Sequence, residues 1–231
     1  MKEVRHIGII MDGNRRFAKR LMRHPSKGHE WGAKKVGKLL EWCKEVNVKE
    51  LTLYSLSLEN FNRPKEEFDY LMSLFRKEFD NLKEDKRIYN NKIRIRGIGR
   101  IHMLPDDVQE KVREIEEKTK DHDQYQINFA LAYGGRSEIT DATKIIAEKV
   151  KNNELEIDDI DEELVKNHLY LSHEPDFIIR TGGDHRTSNF LPYQSTYAEL
   201  FFLNKMWPEF EKEDLLSIIE QFQMRDRRFG K

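Results

Sequence analysis

With 231 residues and no Pro/Gly/Ser-rich linker or shift of composition, the chain is long enough for one sizeable α/β domain spanning 1–231. A net charge of -1 with 36% charged residues excludes nucleic-acid binding by bulk basicity, so any anion site must come from local clustering. The lone cysteine, Cys43, excludes an intrachain disulfide and a thiolate metal cage, and no apolar run is long enough to span a bilayer.

The first element is the apolar run Ile7-Gly8-Ile9-Ile10-Met11, which breaks into Asp12-Gly13-Asn14-Arg15-Arg16-Phe17-Ala18-Lys19. That pattern predicts a central parallel strand followed by a loop, and the carboxyl end of such a strand is where open α/β sheets bind ligands. A carboxylate beside a glycine, an amide and two guanidiniums suits a metal-bound polyphosphate, with Asp12 on the cation and Arg15 and Arg16 forked onto phosphate. A strand-to-helix turn with Asp12 as N-cap and solvated arginines fits the same residues.

Gly28-His29-Glu30-Trp31-Gly32 then leads into a helix with Val36, Leu39, Leu40, Cys43 and Val46 at helical spacing. At the mouth of that helix His29 either completes a phosphate pocket or caps and packs. Leu51–Leu56 predicts a second buried strand, ending in Ser57-Leu58-Glu59-Asn60-Phe61-Asn62-Arg63-Pro64. The helix from Lys65 to about Lys86 carries Phe68, Leu71, Met72, Phe75, Phe79 and Leu82 on one face. Such a stripe is either plain core or the wall of an elongated apolar pocket.

Ile93–Ile98 predicts a strand near an edge, Pro105–Lys120 an amphipathic helix and Gln126–Tyr133 another strand, closed by Gly134-Gly135-Arg136 before a further helix. After a short helix over Asp161–Leu171, the strand Asp176–Ile179 runs into Arg180-Thr181-Gly182-Gly183-Asp184-His185-Arg186-Thr187-Ser188-Asn189-Phe190. Two arginines, hydroxyls and a double glycine make this the second concentration of phosphate-binding groups. Glu199 sits in the apolar run Tyr197–Phe202, which implies an arginine partner or a metal. A last helix, from about Glu211 to Met224, ends in Arg227-Arg228-Phe229-Gly230.

These blocks, in this order from residue 6 to residue 230, resemble the cis-prenyltransferases, the undecaprenyl and dehydrodolichyl diphosphate synthases. The resemblance implies a mostly parallel α/β sheet over a hydrophobic tunnel, a homodimer, and Mg2+-dependent addition of isopentenyl diphosphate to an allylic diphosphate. The product would be a long Z-polyprenyl diphosphate, precursor of a glycosyl carrier lipid, made by a cytoplasmic enzyme that at most touches the membrane peripherally. Asp12 becomes the principal catalytic and metal-linked carboxylate. Gly13, Asn14, Arg15, Arg16 and His29 would hold the allylic diphosphate, with Phe17 beside the prenyl chain. Ser57, Leu58, Glu59, Asn60, Phe61 and Arg63 would line the reacting centre. Arg180, Arg186, Thr187 and Ser188 would grip isopentenyl diphosphate, Glu199 and His185 would join Asp12 at the metal, and the terminal Arg228-Phe229-Gly230 would reach a partner's site.

Asn60 carries the proton-acceptor role in the family, but an amide is a very poor base, so positioning a substrate suits it better. Arg15 and Phe17 stand where bacterial members have Gly and Trp, and Asp184 stands for the commoner Glu. Pro25 replaces a family arginine, leaving Arg23 or Lys27 to supply its charge. Rival readings are a non-catalytic partner subunit of the same fold and a metal-dependent phosphatase.

Overall fold

The computed structural model describes residues 3–225, so the terminal motif at 227–230 lies outside them. Six strands, β1 (His6–Ile10), β2 (Glu50–Tyr54), β3 (Ile93–Ile98), β4 (Tyr125–Ala130), β5 (Phe177–Arg180) and β6 (Glu199–Phe202), form one sheet in the order β3-β4-β2-β1-β5-β6. Every neighbouring pair is parallel. All five residues of β1 are buried, as its unbroken apolar run requires at the centre of a sheet covered on both faces. Among the described residues, strand β3 pairs only with β4, and it mixes buried with wetter positions, the edge behaviour its sequence predicts.

The helices are α1 (Asn14–Arg20), α2 (Pro25–Glu45), α3 (Lys65–Glu84), α4 (Lys86–Asn90), α5 (Asp106–Thr119), α6 (Gly135–Lys151), α7 (Glu162–His168) and α8 (Lys212–Met224). A 3-10 turn covers Leu58–Asn62. From β1 the chain crosses to β2 on one side, whereas β5 and β6 build the other side. The carboxyl ends of β1 and β5 therefore flank the switch point of the sheet, where the loops diverge and leave a crevice.

Three local expectations change. The basic stretch after Asp12 is helix α1 from Asn14 onward, because Gly13, at φ 101°, turns the chain directly into it. Asp12 is consequently not the cap residue. Helix α2 begins at Pro25, so Gly28 and His29 sit inside it rather than at its mouth. A Cβ on Gly28 would lie 2.0 Å from the Asn14 carbonyl oxygen, so glycine there is what lets α1 nest on α2. The long apolar helix stops at Glu84, and Asp85 caps α4 by accepting the Arg87 N–H at 2.9 Å. Cys43 is buried core on α2, and no helix among the described residues is long and apolar enough to cross a membrane.

Candidate active site

At the switch point, the loop after β1 meets the loop after β5 through an alternating row of charges. Arg180 Nη2 donates to Asp12 Oδ2 at 2.8 Å, and Arg16 Nη2 lies 3.1 Å from Asp12 Oδ1. Asp184 Oδ2 ties the row together, 3.5 Å from Arg16, 3.6 Å from Arg180 and 3.1 Å from Arg186. Half-burial of Asp12 would raise its carboxyl, but the hydrogen bond from Arg180 and the charge of Arg16 outweigh this and hold it below the ordinary carboxylate range. Asp12 is thus ionised at neutral pH.

Arg180 is the rigid member of the row, only 4% exposed. Its Nη1 donates to the Arg186 carbonyl at 2.6 Å and to Ser188 Oγ at 2.7 Å, so one guanidinium binds the β5 loop to Asp12. Gly182, at φ 93°, makes the approach feasible, since a Cβ there would stand 2.7 Å from Arg16 Nη2. Behind the row, the Asp12 carbonyl accepts from Thr181 Oγ1 at 2.7 Å and from the Trp207 N–H at 2.9 Å.

Two polar cavities flank this row. The first, about 530 Å³, is lined by Arg15, Arg16, Lys19, Arg23, Arg63 and Arg186 around Asp12, Gly13, Asn14 and His29. The second, about 560 Å³, is lined by Asp12, Ser57, Glu59, Asn60, Arg63, Arg180, Arg186 and Ser188, with Tyr54 and Asn189. Asp12, Arg63 and Arg186 face both. A third cavity of about 350 Å³ runs between α2 and α3, with Leu71, Phe75, Phe79 and Leu82 along its wall. It joins the first polar cavity at Met11, Asn14 and His29. The stripe serves both readings: Met72 is buried core, Phe68 packs on Phe61 at 5.1 Å, Leu71 and Phe79 are buried core that also lines the cavity, and Phe75 and Leu82 line it while only partly buried.

His29 stands at that junction. Burial, reinforced by the Arg63 charge and opposed by Glu67, drives its pKa down to about 4, so the imidazole is neutral at pH 7. Glu67 collects the cations of this corner, Arg63 at 2.7 Å and Arg15 at 3.5 Å, and lies 3.6 Å from the neutral His29. That last distance is too long for a hydrogen bond, and His29 Nε2 is buried without a partner among the described residues. Such an orphaned nitrogen beside arginines fits an incoming phosphate oxygen.

Other expected site residues lie elsewhere. Phe17 packs edge-on against Trp31 at 5.4 Å, and Leu58, Phe61 and Thr187 line neither polar cavity. His185 stacks on Phe202 at 4.9 Å. Glu199 is three residues before Phe202 on β6, roughly 10 Å toward the opposite rim, and pairs with Arg225 at 2.9 Å. Glu199 thus lies away from Asp12, and no group of three or more metal-binding side chains occurs among the described residues. Asn60 Oδ1 accepts the Ser57 N–H at 3.1 Å, which leaves that amide its N–H donors. Arg23 lines the first polar cavity beside Pro25, whereas Lys27 pairs with Glu30 at 2.9 Å; Arg23 is the one placed to supply the missing charge.

Sequence reasoning overlooked Glu67, Tyr54 and the bridging part played by Asp184. For Glu67 a signal existed, because it follows Arg63 by four residues on a helical start. Tyr54 ends β2 and donates to the Ser188 carbonyl at 3.1 Å, a contact without local trace.

The chain is similar to known proteins along nearly its whole length. A family model described as "Putative undecaprenyl diphosphate synthase" matches residues 10–230. Tritrans,polycis-undecaprenyl-diphosphate synthases (geranylgeranyl-diphosphate specific) are similar along nearly the whole chain. That of Pyrococcus horikoshii is 50% identical over 98% of this chain and 87% of its own, and that of Methanocaldococcus jannaschii 48% over 98% and 82%. Among solved structures, lavandulyl diphosphate synthase from Lavandula x intermedia with dimethylallyl diphosphate superposes with a TM-score of 0.92 at 32% identity, covering 99% of both chains. A probable undecaprenyl diphosphate synthase from Campylobacter jejuni gives 0.82 at 36%, covering 100% of both. The chain belongs to the cis-prenyltransferases, the family of undecaprenyl diphosphate synthases and their prenyl-transferring relatives.

Proposed function

We propose that the protein condenses isopentenyl diphosphate with geranylgeranyl diphosphate, repeatedly, to make a long Z-polyprenyl diphosphate. The observation that carries this reading is the pair of cation-lined cavities meeting at Asp12, the first of which shares Met11, Asn14 and His29 with an apolar cavity while the second shares Met11 with it. Two diphosphate heads and a single long tail have that shape. The primer assignment rests on the relatives named above as geranylgeranyl-diphosphate specific.

On this reading the allylic head sits among Gly13, Asn14, Arg15, Arg16, Arg23 and His29, and its tail passes His29 into the cavity beside Phe75. Isopentenyl diphosphate occupies the other cavity, held by Arg180, Arg186 and Ser188. Asp12 would hold Mg2+ by the usual pattern of one carboxylate with substrate phosphates, and the ion would offset charge on the departing diphosphate. Arg16, Arg63 and Arg186 stabilise that same charge as the allylic carbon–oxygen bond breaks and the isopentenyl double bond attacks. Asn60 positions a substrate through its N–H donors, and the released proton goes to a diphosphate oxygen. The remaining family expectations, a homodimer and peripheral contact with the membrane, belong to this proposal as well. His185, next to Asp184 in the loop after β5, belongs to this metal proposal, whereas Glu199, toward the opposite rim, would have to meet a metal in another subunit.

Incubation with radiolabelled isopentenyl diphosphate, Mg2+ and either farnesyl or geranylgeranyl diphosphate tests the assignment. Labelled long-chain product, formed faster from the geranylgeranyl primer, is expected. Phosphate release without elongation would point to a phosphatase.

A further inference from the structure

The apolar cavity ends at a charged partition. Arg87, on α4, places Nε 3.0 Å from each carboxylate oxygen of Asp85 and Nη2 2.6 Å from Oδ2. Its Nη1 pairs with Glu41 on α2, so one guanidinium spans the gap between α2 and the break that ends α3. Beyond it lies another cavity of about 420 Å³, with Cys43, Val48, Leu51 and Ile127 along it, all buried. Among the described residues, the two cavities share Leu40, Asp85 and Arg87 and no other lining residue.

We propose that Arg87 is a specificity-determining residue, an ionic gate that stops the growing chain at the end of the first cavity and separates it from an overflow chamber. A hydrocarbon tail pressing on Arg87 would have to strip water from a guanidinium and two carboxylates while offering no hydrogen bond in return. Elongation therefore stalls when the tail arrives. The gate is nevertheless soft, since Arg87 and Glu41 are about half exposed, at 51% and 55%, and a pair so wet holds weakly. Occasional opening lets a minority of chains pass into the second chamber, so the products form a distribution with a long tail.

The inference rests on the proposed prenyl elongation, and its test separates the two. Arg87→Met and Glu41→Gln are assayed with labelled isopentenyl diphosphate, and product lengths are read by chromatography. Arg87→Met is expected to shift the main product up by at least one isoprene unit, with the first condensation within twofold of the parent. Glu41→Gln leaves Arg87 in place and shifts the distribution less, in the same direction. Adding Val48→Phe, which fills the second chamber, returns Arg87→Met to the parental length. Unchanged lengths in both single variants, or a double variant still making long product, overturn the gate while leaving the elongation reading intact. A parent that incorporates no label overturns the elongation reading itself. Should Arg87→Met fail to fold, Glu41→Gln decides alone.

Discussion

Replacing Asp12 by Asn removes one negative charge and almost no volume, so its consequences can be worked from the contacts. Arg180 is 4% exposed and loses its charge partner at 2.8 Å, keeping Asp184 at 3.6 Å and the neutral acceptors on Arg186 and Ser188. Breaking a fully buried ion pair costs about 3–5 kcal/mol; with Asp12 partly open to water and Asp184 still present, about 2 kcal/mol is expected. In a chain of this size that lowers Tm by roughly 4–8 °C. Elongation suffers separately, because the ion that would offset the leaving-group charge loses its carboxylate, a loss of about 10² to 10³ in rate. Inorganic pyrophosphate, by contrast, should bind at least as tightly, since Arg16 and Arg180 are released from a competing anion. Calorimetric titration, thermal unfolding and label incorporation measure the three quantities. Elongation at the parental rate would refute the reasoning at its root, and weaker pyrophosphate binding would refute the electrostatic account of the charge row.

Glu67→Gln should likewise tighten pyrophosphate binding in a titration, while lowering kcat because Arg63 loses its 2.7 Å anchor. Phe75→Ala enlarges the apolar cavity and should lengthen the product; an unaltered length distribution counts against a tunnel wall at α3. The fold holds His29 neutral, with a pKa of about 4 against the ordinary 6.5 of an unfolded chain. Its contribution is therefore full above pH 6.5 and is lost as pH falls toward 4, by roughly 3 kcal/mol at most. His29→Gln should flatten that part of the stability profile measured by denaturant titration. Removing divalent cations with a chelator should abolish elongation yet move Tm of the substrate-free protein by less than about 2 °C, because a cation held mainly by substrate adds little to the free fold.

Much of the molecule is legible in local pattern. The unbroken apolar run of β1, the helical spacing of about 3.6 in α2 and α3 and the polar residues crowding the strand ends are all local signals. They mark which side chains go inward and which stretches carry chemistry. Asp12, Arg16, Asn60, Arg180 and Ser188 all sit at or beyond strand ends, so the ligand-binding rim could be read from the chain alone.

What the chain order could not say is who meets whom. Asp12 and Arg180 are 168 residues apart and touch only because β1 and β5 are neighbours at the switch point. Glu199 and His185 carry the right chemistry, but parallel register sends Glu199 toward the opposite rim, and no local signal encodes register between distant strands. Only packing assigned Phe75 to a cavity wall and Met72 to the core, since one helical face serves both until its neighbours are placed. Residue type settles what a side chain is able to do; the fold settles which partner and which cavity it does it with.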